Sequence, residues 1–276
     1  MHTVSETALL TLRSRVIESD KMNPVLEDPV GKECLDRLAD LIPPDTQKRI
    51  MERKLSPVLT RHLALRARKY DQLSLEFLST HPDGLIVNLG CGFDTRFWRL
   101  GIEESQYLEL DLPEVIQLKR KILGERITFR TMEGSVLEKE WIQNVKSIQT
   151  NSLLFLAEGL FMYFTPDQSI KTLKNIAGSF QNSRLVVEVV HEKYTRGIRK
   201  KMVEQKMRRR AGSTAGDYFL FGINKAEELE TFHQDFRIHE EWSFFEDKDL
   251  KPGFLKLFKY VKSVSKTQYT VIADIV

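Results

Sequence analysis

The chain has 276 residues, of which 41% are hydrophobic and 29% are charged, and its formal net charge is +3. These values are typical of one folded, soluble domain with a substantial core, and they exclude an intrinsically disordered chain. Two cysteines, Cys34 and Cys91, are too few for a disulfide framework, and no Cys/His spacing is typical of zinc binding, so we expect a cytoplasmic protein without a metal site.

The first 80 residues carry apolar positions at helical spacing, interrupted by Pro43 and Pro44. We therefore expect an N-terminal helical cap over residues 1–80. Its first apolar stretch, residues 8–17, contains two arginines and follows no basic leader. This stretch predicts neither a signal peptide nor a membrane span.

From residue 81 the pattern changes to short apolar runs that alternate with helical segments. The predicted strands are residues 85–89, 107–110, 127–130, 152–157 and 185–190. The clearest helices between them are residues 114–123 and 167–180. Strands that alternate with helices predict a parallel sheet with helices on both faces.

The last part of the chain lacks this alternation of strands and helices. Residues 236–245 and 268–276 alternate apolar and polar positions, with one weaker helical segment, 253–261, between them. They predict an antiparallel pair at one sheet edge. The expected fold is therefore α/β: a Rossmann-like, doubly wound, mainly parallel seven-stranded sheet with an antiparallel last strand, an N-terminal helical cap and a helical lid insertion.

A turn with two glycines, Gly90 and Gly92, follows the first predicted strand. In a doubly wound sheet, such a turn brings backbone N–H groups and a helix N-terminus to a ligand. A dinucleotide needs small residues here, because its pyrophosphate lies against the backbone. Asp94 would repel a pyrophosphate and suits the cationic amino group and sulfonium of S-adenosylmethionine. We therefore predict S-adenosyl-L-methionine as the cofactor.

The second predicted strand is followed by an acidic residue, Asp111, about 20 residues after the turn, where ribose hydroxyls are held in such folds. A carboxylate that accepts two hydroxyl protons makes a strong, directional contact. The alternative is that Asp111 caps the helix that starts near Pro113. For the two glycines, the alternative is an ordinary tight turn.

Three sequence blocks that occur in order resemble the leucine carboxyl methyltransferase family, which also contains bacterial O-methyltransferases of the tetracenomycin polyketide type. The blocks are residues 87–96 (VNLGCGFDTR), 109–115 (ELDLPEV) with Lys119-Arg120, and 157–166 (AEGLFMYFTP). The opening segment 6–10 with Arg15 and Asp28-Pro29 is also similar. The resemblance spans roughly residues 5–190. It implies an S-adenosylmethionine-dependent methyltransferase, but it is not specific to a substrate.

We expect a single methyltransferase domain, residues 1–276, with four parts. These are the helical cap 1–80, a cofactor-binding core 81–190, a lid insertion 191–230, and a closing helix with antiparallel strands over 231–276.

The resemblance also implies roles for individual residues. The implied cofactor contacts are Arg66, Gly90, Gly92, Asp111, Leu112, Ser135, Val136 and Glu158. Arg66 would bind the donor's carboxylate, since a guanidinium matches a carboxylate in a two-pronged geometry, and its alternative is a surface arginine. The glycines would lie against the methionine part, Asp111 against the ribose, and Glu158 near the sulfonium or amino end.

One departure from the family concerns the adenine. Where the family usually has an aspartate that contacts this base, the chain has Ser135. Adenine binding would then use the Ser135 hydroxyl and the backbone N–H of Val136, and affinity for the donor could be lower.

Methyl transfer from a sulfonium requires alignment of the acceptor, the methyl group and the sulfur. A carboxylate acceptor needs no base, whereas a phenol, with a pKa of about 10, benefits from one. The sequence leaves this choice open. His191, directly after the predicted strand 185–190, is our candidate base, and Tyr163 our candidate at the pocket mouth. A partly exposed histidine and a core aromatic are the alternatives.

Residues 196–210 form a basic run with a local charge of +7, which leaves −4 for the rest of the chain. Apolar residues at helical spacing within this run predict an amphipathic lid helix; they are Ile198, Met202, Val203 and Met207. A hinge at residues 212–216 would let it close. A positive face turned inward would attract an anionic acceptor. We favour a solvated outer face.

The leading interpretation is an O-methyltransferase of a small-molecule hydroxyl or carboxylate acceptor. An inward positive face of the lid helix would favour an anionic acceptor. The alternatives are methylation of a protein C-terminus, an RNA-modifying protein, and a non-catalytic protein that binds S-adenosylmethionine, the last motivated by Ser135. A nucleic-acid partner is not expected, because the basic run has no aromatic residue for base stacking. Membrane contact is not expected either, and the sequence does not decide the oligomeric state.

Overall fold

The computed structural model describes residues 6–148, 150, 152–211 and 219–276. Within these residues, one sheet contains seven strands: β1 (Leu85–Leu89), β2 (Tyr107–Asp111), β3 (Arg130–Glu133), β4 (Leu153–Ala157), β5 (Ser183–Val190), β6 (Phe236–Trp242) and β7 (Gln268–Ile275). Their order is β3-β2-β1-β4-β5-β7-β6. The first five are parallel, and β7 is antiparallel to both β5 and β6. The predicted mainly parallel α/β sheet with an antiparallel edge is confirmed.

The α-helices are α1 (Glu6–Ser19), α2 (Pro29–Ala39), α3 (Pro44–Thr46), α4 (Pro57–Thr80), α5 (Arg96–Leu100), α6 (Pro113–Leu123), α7 (Glu140–Lys146), α8 (Pro166–Ala177), α9 (Gly197–Ala211), α10 (Glu228–Phe232) and α11 (Lys262–Ser265). Short 3-10 segments include Phe161–Tyr163, Phe244–Glu246 and Gly253–Tyr260. Among the described helices, none combines the length and the apolar character that a bilayer crossing requires.

Two apolar cores lie on opposite faces of the sheet, because successive side chains of a strand point to opposite sides. Ile86 packs with Phe77 of α4 on one face. Its neighbour Val87 packs with Trp141 of α7 and Leu173 of α8 on the other. Both faces of the parallel strands are therefore covered, as in doubly wound folds.

The N-terminal helices lie against the turn after β1. Leu9 and Leu12 of α1 are fully buried, and they share a core with Leu38 of α2 and with Phe93 of the glycine turn. The helical cap of the sequence prediction thus packs directly on the turn.

Three predicted elements had boundaries that were wrong by three residues, and those of the other predicted strands and helices differ by two or fewer. The strand predicted at 127–130 begins only at Arg130, because Ile127 and Phe129 pack with aromatic residues around α5 instead of pairing in the sheet. The helix predicted to residue 180 ends at Ala177. The strand predicted over 236–245 ends at Trp242, where the Ser243 side chain caps a 3-10 turn instead.

The basic helix α9 differs from the predicted lid helix in its apolar residues. Ile198 and Met202 are largely exposed, with 78% and 63% of their surface open to solvent. Val203 alone of the described stripe packs inward, against the cluster around Phe219. The side chain of Met207 and the predicted hinge at residues 212–216 lie outside the described residues. Arg196, Arg199 and Lys201 are exposed, in agreement with a solvated outer face.

Candidate functional site

The turn after β1 requires its glycines. Gly90 and Gly92 have φ angles of 64° and 51°, in the left-handed region that other residues rarely adopt. A Cβ atom on Gly90 would also lie 2.6 Å from Cδ1 of Leu160. The turn therefore presents bare backbone toward the space beyond the carboxyl ends of β1 and β4.

Asp111 at the end of β2 faces this turn. Its Oδ2 accepts a hydrogen bond from the Gly92 N–H at 2.7 Å, and its Oδ1 accepts one from the Leu112 N–H at 2.7 Å. Leu112, and not Asp111, is the N-cap residue of α6, which has no side-chain cap, so the capping alternative was wrong. Burial raises the pKa of Asp111, although both backbone hydrogen bonds oppose this. Each oxygen keeps a second lone pair for a hydroxyl donor.

A cavity of about 230 Å³, hereafter the donor cavity, opens beside the turn. Seven predicted site residues line it: Arg66, Gly90, Gly92, Asp111, Leu112, Glu158 and Tyr163. Ser135 and Val136 do not belong to this lining. The Ser135 hydroxyl accepts a hydrogen bond from the Leu137 N–H, and the Val136 carbonyl accepts one from the Trp141 indole. The structure leaves their adenine contacts as a prediction.

Arg96, directly after the turn, anchors the site on carboxylates from three elements. Its guanidinium binds Asp71 of α4 at 2.7 Å, Glu158 at 2.7 Å, and Asp94 in the turn. The side chain is fully buried. Arg99 repeats two of these contacts, with Asp71 at 2.7 Å and Asp94 at 3.2 Å.

Arg66 continues the same network on the other side of Glu158. Its Nε binds Glu158 at 2.8 Å and its terminal nitrogen binds Glu188 of β5 at 2.9 Å. Burial alone would raise the pKa of Glu158, but the guanidinium groups of Arg66 and Arg96 outweigh burial and lower it. Burial raises the pKa of Glu188, only partly opposed by Arg66. Arg66 is thus a buried network residue, and the surface-arginine alternative was wrong.

The network contains more carboxylates than cations. The guanidinium groups of Arg15, Arg66, Arg96 and Arg99 contact the carboxylates of Asp28, Asp71, Asp94, Glu158 and Glu188. With all of them ionised, the network carries one excess negative charge, which favours a cationic ligand.

Asp94 does not act as the sequence argument assumed. Both of its oxygens accept hydrogen bonds from guanidinium groups, and Asn88 and the Arg96 N–H also bind it. Its charge is neutralised within the network, so it does not present a free carboxylate to repel a pyrophosphate. The preference for a cationic donor must come from the excess charge of the network as a whole.

Two buried cations, Lys119 and the network residue Arg15, also bind the backbone of the turn. Lys119 of α6 donates hydrogen bonds to both Glu109 oxygens at 2.7 Å and to the Asp94 carbonyl. Arg15 of α1 donates to the Phe93 carbonyl at 2.8 Å. These contacts explain why the blocks that resemble the family include Lys119 and Arg15, which lie far from the turn in sequence.

The charge on Asp94 should make the fold sensitive to acid. Burial would raise the pKa of Asp94, but Arg96 and Arg99 lower it well below its usual value. A group with a lowered pKa stabilises the fold above the pKa of the unfolded chain, about 4, and this contribution is lost as the pH falls below it. Asp94→Asn should therefore destabilise the protein at neutral pH, and its deficit relative to the wild type should shrink in acid. Urea unfolding of both proteins, from neutral pH to below about pH 4, checks the prediction. If the free energies of unfolding of the two proteins change in parallel with pH, the prediction is contradicted.

A second cavity, of about 410 Å³, adjoins the first and is hereafter the acceptor cavity. Four residues belong to the lining of both cavities: Thr7, Thr11, Arg66 and Tyr163. The remaining lining is mostly apolar and includes Leu10, Val58, Leu59, Leu63, Val203, Phe244, Phe245, Leu255, Phe258 and Val264. It also contains His62, whose ring stacks on Phe244 with centroids 3.9 Å apart.

Of the two predicted catalytic residues, the structure brings only Tyr163 to the site. His191 is absent from the described lining of both cavities; its ring accepts a hydrogen bond from the Lys193 N–H, and burial lowers its pKa. Sequence reasoning missed His62 and Glu188. His62 precedes Arg66 by one helical turn, and Glu188 is the only charged residue within the run 185–190, so both carried a readable signal.

The fold and this site define a class of protein, the S-adenosylmethionine-dependent methyltransferases. A solved S-adenosylmethionine-dependent methyltransferase from Anabaena variabilis superimposes with a TM-score of 0.50 at 14% identity, covering 76% of this chain and 84% of that one. The chain belongs to the leucine carboxyl methyltransferase family, whose model matches residues 4–177. The predicted resemblance and the predicted cofactor are thereby confirmed.

Several relatives are similar over much of the chain. The tetracenomycin polyketide synthesis O-methyltransferase TcmP of Streptomyces glaucescens is 27% identical over 245 residues, which cover 88% of this chain and 84% of that protein. Bovine leucine carboxyl methyltransferase 1 is 26% identical over 171 residues, which cover 50% of this chain and 52% of that protein. A solved DUF574 family protein from Streptomyces avermitilis shares the fold over 98% of this chain and 97% of its own, with a TM-score of 0.59 and 13% identity.

Proposed function

We propose that this methyltransferase is an O-methyltransferase of a small, largely apolar acceptor that carries a hydroxyl or a carboxylate group. The observation that carries the proposal is the acceptor cavity, which adjoins the donor cavity and is walled mainly by leucine, valine and phenylalanine. Pockets of this size and polarity suit small apolar molecules. The similarity to TcmP, an O-methyltransferase of polyketide synthesis, also supports a small-molecule acceptor.

In this proposal, the donor cavity holds S-adenosylmethionine, which supplies an electrophilic methyl group. Asp111 binds the ribose hydroxyls, while Leu112 and the Gly90 and Gly92 backbone line the site. Glu158 faces the cationic part of the donor. Arg66 binds the donor's carboxylate with the hydrogen-bonding capacity that Glu158 and Glu188 leave to it. Ser135 and the Val136 backbone contact the adenine.

Tyr163 is proposed to orient the acceptor, because it belongs to the lining of both cavities. The acceptor oxygen must lie close to the methyl carbon and in line with the carbon–sulfur bond, and water must be kept out. The junction of the two cavities, framed by Thr7, Thr11, Arg66 and Tyr163, is the place where both requirements can be met.

We also propose that the chain acts as one domain with the four parts 1–80, 81–190, 191–230 and 231–276. The linings of the two cavities support different roles for these parts. The donor cavity draws mainly on the core, and the acceptor cavity combines α1 and α4 of the cap with Phe244, Leu255 and other residues of the closing part.

Filling the acceptor cavity should separate acceptor use from donor binding. Leu59 belongs to the lining of the acceptor cavity but not to that of the donor cavity. Leu59→Trp should lower kcat/KM for small aromatic acceptors at least about 10-fold, since a mismatch in an apolar pocket costs about 1–3 kcal/mol. Affinity for S-adenosylhomocysteine, measured by calorimetry, should not change. Leu75→Trp is the matched control, because Leu75 lies on the same helix with 47% of its surface exposed.

A panel of different methyl acceptors tests the proposed function itself. It should contain planar phenols, aromatic carboxylic acids, and a peptide that ends in leucine, each with methyl-labelled donor. Transfer to small aromatics supports the proposal. Transfer to the peptide alone, unaffected by Leu59→Trp, would overturn it.

A further inference from the structure

His62 belongs to the lining of the acceptor cavity, and the proposed function gives it no role. It lies on α4, one turn before Arg66, so both side chains project from the same face of the helix. Arg66 is one of the four residues at the junction of the cavities. His62 therefore lies in the acceptor cavity, one helical turn from a residue of the junction.

The His62 ring is held in a fixed environment. It is half-buried and stacks on Phe244, with centroids 3.9 Å apart and 29° between the planes. Because Phe244 covers one face of the ring, the edge that carries the two nitrogens is not covered by Phe244.

His62 is also the lining residue with suitable acid–base chemistry. The other charged or titratable groups in the described lining of the acceptor cavity are Arg66, on the same helix, and Tyr163. The remaining elements, α1, the segment 244–268 and Val203, contribute only uncharged residues to it. Arg66 is engaged by Glu158 and Glu188, and histidine is the side chain that exchanges a proton near neutral pH.

We infer that His62 is the general base for a hydroxyl acceptor, and hence that this cavity accepts phenols or enols. The inference rests on the proposed function and deepens it. The neutral imidazole takes the hydroxyl proton while the acceptor oxygen forms its bond to the methyl carbon. The sulfur–methyl bond breaks, its electron pair stays on sulfur, and the proton passes from His62 to solvent.

The test compares acceptors that differ in whether they need a base. With 1-naphthol, His62→Gln should lower kcat about 100-fold, the usual range for loss of a general base being about 10²–10⁴-fold. With 4-nitrophenol, assayed at a mildly alkaline pH where it is already ionised, the variant should retain most of the wild-type kcat. A merely structural role would lower both rates together.

Donor affinity and folding are measured for the same proteins. The S-adenosylhomocysteine affinity and Tm of His62→Gln should match those of the wild type. His81→Gln is the control, since His81 lies at the C-terminal end of the same helix, stacks on Phe77 in a similar way, and belongs to neither described cavity lining. It should leave the kcat for both acceptors unchanged.

The wild-type pH profile tests the inference without any variant. Because the neutral imidazole is the active form, kcat for 1-naphthol should rise with pH and level off well below the pKa of a phenol, about 10, where ionisation of the acceptor alone would place the rise. A kcat that falls as pH rises, or equal losses for both phenols in His62→Gln, would overturn the inference while small-molecule methylation stood. If the wild type methylates no small molecule at all, the proposed function fails as well.

Discussion

Arg96→Met should lower the free energy of unfolding by about 3–5 kcal/mol, as expected when one partner of a buried ion pair is removed. The guanidinium is fully buried and contacts Asp71, Asp94 and Glu158. Methionine has a similar length and can fill the space, but it leaves three buried carboxylates with one cationic partner fewer. Denaturant unfolding monitored by circular dichroism measures the loss.

Arg120→Met is the matched control for this experiment. Arg120 pairs with Glu133 at 2.7 Å, but its side chain is 47% exposed. Exposed ion pairs contribute about 0–1 kcal/mol, so this variant should remain close to the wild type. Equal losses for the two variants would mean that the buried network contributes no more than a surface contact.

Asp111→Ala should weaken binding of S-adenosylhomocysteine about 100-fold or more. Two hydrogen bonds from hydroxyls to a carboxylate contribute about 1.5–3 kcal/mol each, and each 1.4 kcal/mol is about a tenfold change in affinity. The substitution also removes the acceptor for the Gly92 N–H at the end of the turn. Titration calorimetry gives the affinity directly, and it needs no knowledge of the methyl acceptor.

Glu133→Gln is the control for Asp111. Glu133 is aligned with Asp111 in the pairing of β3 with β2, and it also ends its strand, but it does not belong to the described lining of the donor cavity. It should bind S-adenosylhomocysteine like the wild type. An Asp111→Ala protein that keeps wild-type affinity would contradict the ribose assignment.

The local parts of the fold could be predicted from sequence because their signals are local. β1 was predicted with its observed boundaries, since a continuous apolar run ends at a glycine turn. β3 was misplaced, because Ile127 and Phe129 are as apolar as strand residues but pack outside the sheet. Nothing in the run itself shows where the pairing with β2 starts.

The donor cavity could be predicted better than the acceptor cavity for the same reason. The glycine turn and Asp111 lie close together in sequence, within the part that matches the family model. The acceptor cavity combines α1 and α4 with residues 244–268, which lie beyond the match. Contacts between segments so far apart leave no pattern in either segment. The ion pairs of Arg66 with Glu158 and Glu188 could not be predicted for this reason.

The ion pairs of Arg66 constrain the order in which the fold is completed. Its carboxylate partners, Glu158 and Glu188, follow it by 92 and 122 residues. During synthesis, α4 therefore emerges long before either partner, and its guanidinium cannot pair with both of them until β5 has been made. The helices that are made first are thus among the last to reach their native charge environment. A ribosome-bound chain that stops before β5 should leave the cap open to protease even though its helices are complete.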